Sequence, residues 1–442
     1  MTDATTPEPS LPSHPAFAEL LKRLRQAAGM SQEALALHAS LSPRAVSDME
    51  TGRTRRPHPT SVRSLASALS LPAAPASALM TAARPPISLN DDLQALGRDN
   101  EQLCRPERNL LSGAPEFIGR EGEFAGLLRT IIEASGRPGN TVAIYVVEGM
   151  AGVGKTAVVT HLARLLRDCF PDGIAYIDLC GHTPDHPPLP TTNALTSLLR
   201  RVGVDRADIP DRLDDRVLRW RAEMADRRMI VILDDALDPA QVRPLLPGAG
   251  RCLVLVTSRR KLSALDTATA FHLDVPSSAE AIQLFMTFTE AAGIAGLDAD
   301  ATVFSIVHAC GNLPLALRIC ASLLRERLDP ADLAARLADP VGALGELAAD
   351  GLSVRASLAS SFRTLPVAYR GLVHRLSLHP EPTFDAGSAA ILAGVEHGRI
   401  EDILDALVDG NFLTAEPSGR YAFHRLTRQF ARSAASGGDI HV

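Results

Sequence analysis

The stretch "EGMAGVGKTAVV", from Glu148 to Val159, constrains the fold of this chain more than any other part of its sequence. It follows an apolar run, "TVAIYVV", that is typical of a buried strand, and it leads into "AVVTHLARLL", whose apolar spacing predicts a helix. Glycines between a strand and a helix let the backbone curl so that its N–H groups face an anion. The pattern G-x-x-x-x-G-K-T therefore predicts a phosphate loop built on Gly149, Gly152, Gly154, Lys155 and Thr156.

The loop and the two apolar runs that come later supply the chemistry of a nucleotide site. Lys155 would bring charge to the β- and γ-phosphates, and the Thr156 hydroxyl would ligate Mg²⁺. The run "RRMIVILDDAL" predicts a buried strand ending in Asp234 and Asp235, where an acid can hold the metal through water. The run "GRCLVLVTSRR" ends near Arg259, a cation able to sense a γ-phosphate. Strands alternating with helices predict a parallel, doubly wound sheet with the site at its C-terminal edge.

The N-terminal segment differs from the rest of the chain in charge. Residues 17–71 contain eight Lys or Arg and four Asp or Glu, a net charge of +4, whereas the whole chain carries −6. Apolar residues recur there at helical spacing, and the segment "SQEALALHASLSPRAVSDMETG" has the layout of two short helices joined by a turn. We expect an all-α bundle of four short helices, with start signals at Ser31, Ser42 and Thr60 and stop signals at Gly29 and Gly52.

This segment resembles the Xre/Cro-type helix-turn-helix domain, including "SQ" at the start of the second helix and "ETG" after the third. The resemblance implies binding to double-stranded DNA, an operator, with residues 42–49 in the major groove. The residues expected at bases or nearby phosphates are Ser42, Arg44, Ala45 and Ser47. Gln32 would face the DNA backbone, and the residues expected to hold phosphate are Arg53, Arg55 and Arg56. The alternative is a protein-docking bundle whose arginines form a solvated face.

Beyond this domain, six motifs occur in one order: "FIGRE", the phosphate loop, "LDDAL", "LVTSR", "GNLPLAL" and a histidine in "YAFHRLTRQFA". In this order they resemble the NB-ARC family of STAND NTPases over residues 116–432. The resemblance implies ATP/ADP and Mg²⁺ as cofactors, with Asp234 at the metal and Asp235 as the catalytic residue that orients water. The other nucleotide contacts that it implies are Ile118, Arg120, Val153, Lys155, Thr156, Ala157, Arg259, Pro314 and His424.

Two positions depart from the family pattern. Asn312 stands where the family's Gly-Leu-Pro-Leu motif has its glycine. Arg425 replaces the aspartate of the Met-His-Asp triplet, with Phe423 at the methionine position. Because His424 would contact the ADP β-phosphate in a closed form, loss of the neighbouring acid predicts a weaker ADP-locked state.

We therefore predict a multidomain chain, in which an all-α helix-turn-helix bundle precedes an α/β P-loop NTPase with a parallel sheet, an α-helical subdomain and a winged helix. No apolar run approaches the roughly 18 residues of a membrane span, and the polar start lacks a secretion signal, so we expect a cytoplasmic protein. The predicted parts are a disordered leader at 1–16, the DNA-binding domain at 17–84, a linker at 85–115, the nucleotide domain at 116–272, the helical subdomain at 273–350, the winged helix at 351–432 and a flexible tail at 433–442.

The function expected from these parts is a nucleotide-gated transcription regulator and slow ATPase. ADP would hold the C-terminal parts closed, and ATP would open them, so that a homo-oligomer presents paired helix-turn-helix domains to DNA half-sites. By association, such regulators control actinobacterial secondary metabolism. Family members usually continue into repeat-built sensor domains, so we expect either a shortened chain or sensing through a separate protein or a small-molecule inducer.

Two other functions fit the same motifs. A remodelling NTPase would hydrolyse nucleotide continuously while its N-terminal domain delivers it to DNA. An immune-type ATPase would use the N-terminal bundle to bind protein and would have no DNA affinity. Turnover and the effect of changing Arg44 distinguish these functions from the regulator.

Overall fold

The computed structural model describes residues 17–39, 41–51, 121–135, 142–183, 186–265, 267–294, 296–326, 328–339 and 342–434, together with 57, 59–69 and scattered positions between 71 and 83. The chain divides into two compact units, residues 1–87 and 88–442, close to the domain boundary predicted at 84. The predicted leader and linker, and the tail beyond Ala434, lie outside the described residues.

The N-terminal unit is the predicted helical bundle. Leu21, Leu35, Val46 and Leu65 are fully buried, so each helix contributes an apolar face to one shared core. The helices that the structure describes in this unit with given bounds are α1 (Phe17–Ala27), α2 (Gln32–His38), α3 (Pro43–Glu50) and α4 (Pro59–Ala68).

The predicted helix starts are confirmed at two of three positions. The Ser31 hydroxyl accepts the Ala34 N–H at the start of α2, and the Ser42 hydroxyl accepts the Ala45 N–H at the start of α3. The start signal predicted at Thr60 is wrong, because α4 already begins at Pro59. Proline fits a first helical position, where its missing N–H costs nothing.

The second unit contains a five-stranded parallel sheet. Its order is β2-β3-β4-β1-β5, which places β1 and β4 at the centre with β3 beside them. The strands are β1 (Ala143–Glu148), β2 (Ile174–Asp178), β3 (Ile230–Ala236), β4 (Leu253–Ser258) and β5 (Ala268–His272). The helices of this part are α5 (Glu121–Ser135), α6 (Lys155–Leu165), α7 (Thr191–Arg201), α8 (Leu213–Met224) and α9 (Pro239–Val242). Because β1 and β4 are covered on both faces, their apolar runs are continuous.

The remaining elements correspond to the two predicted C-terminal parts. The helical part consists of α10 (Ser278–Ala291), α11 (Ala301–Ala309), α12 (Pro314–Arg325), α13 (Pro330–Ala338) and α14 (Ala343–Glu346), followed by the hairpin of β6 (Ala348–Ala349) and β7 (Leu352–Ser353). The last part consists of α15 (Val354–Arg363), α16 (Val367–Ser377), β8 (Thr383–Phe384), α17 (Ala386–Ala393), α18 (His397–Asp409), β9 (Leu413–Ala415), β10 (Tyr421–Phe423) and α19 (Arg425–Ala434). Its antiparallel sheet, in the order β8-β10-β9, packs with these helices as a winged helix.

Among the described residues, no helix has both the length and the apolarity needed to cross a membrane.

Candidate functional site

The phosphate loop joins β1 to α6, as the sequence predicts. Gly149, Gly152 and Gly154 have φ of +154°, +80° and +103°, in the region that favours glycine. Gly154 is the N-cap of α6 and supplies no side-chain acceptor, so the first-turn N–H groups of α6 face the loop. A helix N-terminus of this kind binds anions.

Lys155 lies beneath this loop and is 8% exposed. Its Nζ donates to the carbonyl oxygens of Gly149 and Met150, at 2.8 and 2.9 Å. Burial, reinforced by the charge of Arg259, lowers the pKa of Lys155 to about 7. The charged form of Lys155 is therefore held in the loop at a considerable cost, which an anion nearby would offset.

Asp234 is buried at the end of β3 and is held by three hydroxyl groups. The Thr156 hydroxyl donates to its two carboxylate oxygens at 2.9 and 3.0 Å, and the Tyr176 hydroxyl donates at 2.8 Å. The third donor is Thr257. Burial raises the pKa of Asp234, against the lowering effect of these hydrogen bonds. The predicted pairing of Thr156 with an acid on β3 is thus present, while Tyr176 was not predicted because nothing in its apolar strand marks it.

Asp235 lies one residue later and faces a different set of groups. Its φ of +49° is unusual for a residue with a side chain and turns it away from Asp234. The His182 N–H donates to it at 2.8 Å, the His182 ring Nδ1 lies at 3.1 Å, and Arg259 Nε lies at 3.5 Å. Burial opposes ionisation, but His182 and Arg259 together hold the pKa of Asp235 at about 2. Sequence reasoning missed His182, because a polar residue shortly after an apolar run does not reveal that its strand lies beside β3.

Arg259 connects this site to the winged helix. Its Nη1 donates to the Ser357 carbonyl at 2.8 Å, and to the hydroxyls of Ser360 and Ser361 at 3.0 and 3.1 Å. All three acceptors belong to α15. One side chain therefore contacts both Asp235 and the C-terminal part of the unit.

Two hydrogen bonds to backbone carbonyls strengthen the junction between the segment after β4 and the winged helix. The Asn411 side chain donates to the Arg259 carbonyl at 3.0 Å, and the Lys261 N–H donates to the Asp409 carbonyl at 2.8 Å. Lys261 Nζ also lies 3.3 Å from the Asp409 carboxylate. The residues that follow β4 thus dock onto the end of α18.

His424 makes a second junction, with the "GNLP" segment. Its Nε2 lies 2.8 Å from the Gly311 carbonyl, and a Cβ on Gly311 would lie 2.7 Å from that nitrogen. Asn312 has a φ of +59°, a conformation that glycine and asparagine tolerate, which explains the exchange of these residues in the motif. Burial lowers the pKa of His424.

Pro314 begins α12, next to the phosphate loop, because the Leu315 N–H donates to the Gly152 carbonyl at 3.1 Å. The Val153 side chain points into the apolar core, so only its backbone is available to a ligand. Ala157 is exposed on the first turn of α6. Ile118 and Arg120 lie outside the described residues.

In the N-terminal unit, an ion pair between α1 and α3 and a hydrogen bond from α2 meet at Glu50. Arg25 Nε and Nη2 donate to the Glu50 carboxylate at 2.6 and 3.0 Å, and the Gln32 side chain donates to it at 2.7 Å. Burial opposes ionisation of Glu50, but these bonds lower its pKa overall. The Gln32 side chain thus links α2 to the end of α3, while the cap of α2 is Ser31.

The residues predicted to meet DNA lie mainly on the first turns of α3. Ser42 and Arg44 are exposed, and Ala45 and Ser47 are half-buried. The described residues do not include Arg53, Arg55 or Arg56. The contact of these seven residues and of Gln32 with DNA stays a prediction.

A family model described as a helix-turn-helix domain matches residues 16–79, which contain α1 to α4. The chain joins a helix-turn-helix domain to a P-loop NTPase fold. The P-loop NTPase fold is seen in the order of the parallel strands and in the phosphate loop between β1 and α6.

Curated relatives match most of the chain. It is 37% identical to the regulatory protein AfsR of Streptomyces griseus over 77% of its own length and 36% of that protein. It is 38% identical to the regulatory protein AfsR of Streptomyces coelicolor over 72% of its own length and 32% of that protein. The chain thus spans about a third of these relatives.

Among solved structures, the Walker-type ATPase PABY2304 of Pyrococcus abyssi is 12% identical, with a TM-score of 0.47, over 71% of this chain and 96% of that one.

Proposed function

We propose that this chain is a DNA-binding transcription regulator whose conformation is set by ADP or ATP. One observation carries the proposal: Arg259 contacts both Asp235, beside the phosphate loop, and α15 of the winged helix. Its side chain cannot reorient toward a nucleotide phosphate without changing its contacts to α15. The bound nucleotide and the position of the winged helix are therefore coupled.

The phosphate loop fits a nucleotide. The uncapped N-terminus of α6, the left-handed glycines and the buried Lys155 form a cradle for phosphate groups. Thr156 and Asp234 supply a hydroxyl and a carboxylate side by side, the oxygen ligands that Mg²⁺ takes together with water and phosphate. Mg²⁺ would neutralise charge on the phosphates, and Asp235, ionised at neutral pH, would orient the attacking water.

Asp235 is a poor general base, because a carboxylate with a pKa of about 2 takes up a proton reluctantly. Its role would be to position water rather than to deprotonate it. Slow turnover would suit an ATPase that serves as a switch.

The helix-turn-helix domain supplies the DNA contact. Arg44 and Ser42 are exposed on α3, and the ion pair of Arg25 with Glu50 fixes α3 against the bundle. The winged helix is a weaker candidate for DNA binding, because α18 carries four acidic residues and one arginine and would repel phosphate. We assign to the winged helix the role of closing on the nucleotide domain.

The switch would work through the docking contacts. Arg259 to α15, Lys261 to Asp409 and His424 to Gly311 hold the winged helix in place. A γ-phosphate that competes with α15 for Arg259 would favour the undocked form, whereas ADP would leave these contacts intact. Undocking would then allow assembly into homo-oligomers that read paired operator half-sites. The names of the two Streptomyces relatives support a role in regulation. We include control of secondary metabolism in the proposal.

The test is DNA binding by the full chain at fixed salt, since phosphate contacts make affinity depend strongly on salt. A library of genomic fragments is presented to the protein with ADP, with a non-hydrolysable ATP analogue, and without nucleotide. Lys155→Ala removes the cation of the loop, and Arg44→Ala removes the predicted groove contact. Arg23→Ala is the matched control, because Arg23 is exposed on α1 of the same domain.

We expect one set of fragments to be selected, with an affinity that changes between ADP and the analogue. Lys155→Ala should abolish this difference, and Arg44→Ala should abolish selection while Arg23→Ala leaves it intact. Selection that is indifferent to nucleotide would disprove the gate but keep DNA binding. The absence of selection in every form would instead favour the protein-docking ATPase.

A further inference from the structure

A cavity of about 370 Å³ lies between the nucleotide-binding part and the winged helix. The loop after β2 contributes His182, and the turn after β3 contributes Asp238. Arg260 lines it from the segment after β4, and Ser360 and Arg363 line it from α15. The phosphate loop contributes none of the lining residues, so the cavity lies beside the phosphate cradle and meets the nucleotide site only where His182 contacts Asp235.

The charges at this cavity favour an anion. Within the described part of the chain, the guanidinium groups of Arg260 and Arg363 have neither a hydrogen bond nor an ion pair. The acid in the lining, Asp238, is already used as the N-cap of α9, where it accepts the Gln241 N–H at 2.9 Å. Both arginines are exposed at the cavity, Arg260 from the nucleotide-binding part and Arg363 from the winged helix, so an anion in the cavity would be attracted to both.

His182 adds a more specific requirement. The residue is 3% exposed, its Nδ1 faces Asp235 at 3.1 Å, and its buried Nε2 has no partner among the described residues. Buried polar atoms are normally paired, so a hydrogen-bond donor on a bound molecule would satisfy this nitrogen. Burial lowers the pKa of His182 despite the neighbouring carboxylate, which favours the neutral ring. With its hydrogen on Nδ1 toward Asp235, the neutral ring leaves Nε2 as an acceptor.

We propose that this cavity binds a small anion that also carries a hydroxyl group, the shared chemistry of hydrogen phosphate, sugar phosphates and hydroxy acids. The anionic group would bridge Arg260 and Arg363, and the hydroxyl would donate to His182 Nε2. Because the two arginines belong to the nucleotide-binding part and the winged helix, the ligand stabilises the docked form. The chain would thus have an effector site beside its nucleotide site, whether or not it binds DNA.

The test compares two anions of equal charge and similar size that differ in one hydrogen. Hydrogen phosphate and sulfate are added to the full chain at one ionic strength, at a pH where phosphate is the dianion, and the midpoint of thermal unfolding is measured. Arg363→Gln removes one bridging cation, and Arg399→Gln is the matched control, because Arg399 is exposed on α18 and does not line the cavity. Phosphate taken up by the phosphate loop contributes equally to all three proteins, so the difference between them reports the cavity.

We expect phosphate to raise the midpoint of the wild type and of Arg399→Gln more than that of Arg363→Gln, with a difference that grows with the logarithm of the concentration. Sulfate should give a smaller difference, since it has no hydrogen to donate to His182. Equal shifts in the wild type and Arg363→Gln would overturn the site. A sulfate difference as large as that of phosphate would overturn the requirement for a hydroxyl. Either result leaves the DNA-binding measurements untouched, so failure of the two proposals is distinguishable.

Discussion

Arg259→Gln removes the side chain that connects Asp235 to α15. In the wild type, Arg259 Nη1 has three acceptors on α15, the Ser357 carbonyl and the hydroxyls of Ser360 and Ser361. Since one Nη1 carries two hydrogens, about two of these bonds are fully made at once. We expect the substitution to release α15 while the sheet stays intact.

The magnitude follows from the character of these bonds. A hydrogen bond from a charged donor contributes about 1.5–3 kcal/mol. The Ser357 carbonyl keeps a second donor, because the Ser360 hydroxyl donates to it at 2.9 Å. The expected loss is therefore nearer to one charged bond than to two, about 2–3 kcal/mol in the free energy of undocking. Because 1.4 kcal/mol is a factor of ten, the undocked population should rise about 30- to 150-fold.

Native-state hydrogen exchange measures this opening directly. Amides of α15 should exchange about 30- to 150-fold faster in Arg259→Gln, whereas those of β1 and β4 should keep their rates. Arg251→Gln is the matched control, because Arg251 is exposed at the opposite end of β4. Unchanged exchange in α15, or equal acceleration in Arg251→Gln, would refute the coupling.

Three further outcomes are expected. Because the pKa of Lys155 is about 7, nucleotide binding at pH 8 should be accompanied by uptake of a proton, and the heat measured by calorimetry should therefore depend on the buffer. Lys155→Met should lose this dependence. A variant that keeps it would contradict the assignment of the proton uptake to Lys155. The pKa of Glu50 is lowered on folding, so the N-terminal unit should lose stability as the pH falls below the ordinary value of 4.5. Glu50→Ala should lower the free energy of unfolding, measured in urea, by about 3 kcal/mol. A stability that does not change with pH would argue against the ion pair. Gly311 has a φ of +58°, and a Cβ added there would lie 2.7 Å from His424, so Gly311→Ala should lower the thermal midpoint by the equivalent of about 1–3 kcal/mol. Gly345→Ala is the control, because a Cβ at Gly345 meets no atom within 4 Å, and it should leave the midpoint unchanged. Equal midpoints for the two variants would show that the His424 contact is dispensable.

Much of the fold could be predicted because its signals are local. The phosphate loop lies between a strand and a helix within about 25 residues, and β3 and β4 are uninterrupted apolar runs with polar residues at their ends. The caps Ser31 and Ser42 bond to residues three positions later, so spacing alone determines them. The start of α4 was misplaced because threonine and proline both occur at helix starts.

The parts of the site that escaped prediction depend on contacts between distant residues. Tyr176 and His182 belong to the segment around β2, and they reach Asp234 and Asp235 because β2 and β3 are neighbours in the sheet. No periodicity reports which strands are adjacent. Arg259 was predicted as a sensor of phosphate, but its contact with Ser357 spans 98 positions of sequence.

The sequence by itself determined the identity of the elements, the phosphate loop with Lys155 and Thr156, and the acids at the end of β3, because each depends on residue types within a few positions of one another. Tertiary structure decided what these groups face. It divided two adjacent acids into a buried Asp234 with a raised pKa and an ion-paired Asp235 with a pKa of about 2. It also placed the winged helix against Arg259. Burial and charge at one point depend on every chain segment that meets there, and only the packed molecule brings those segments together.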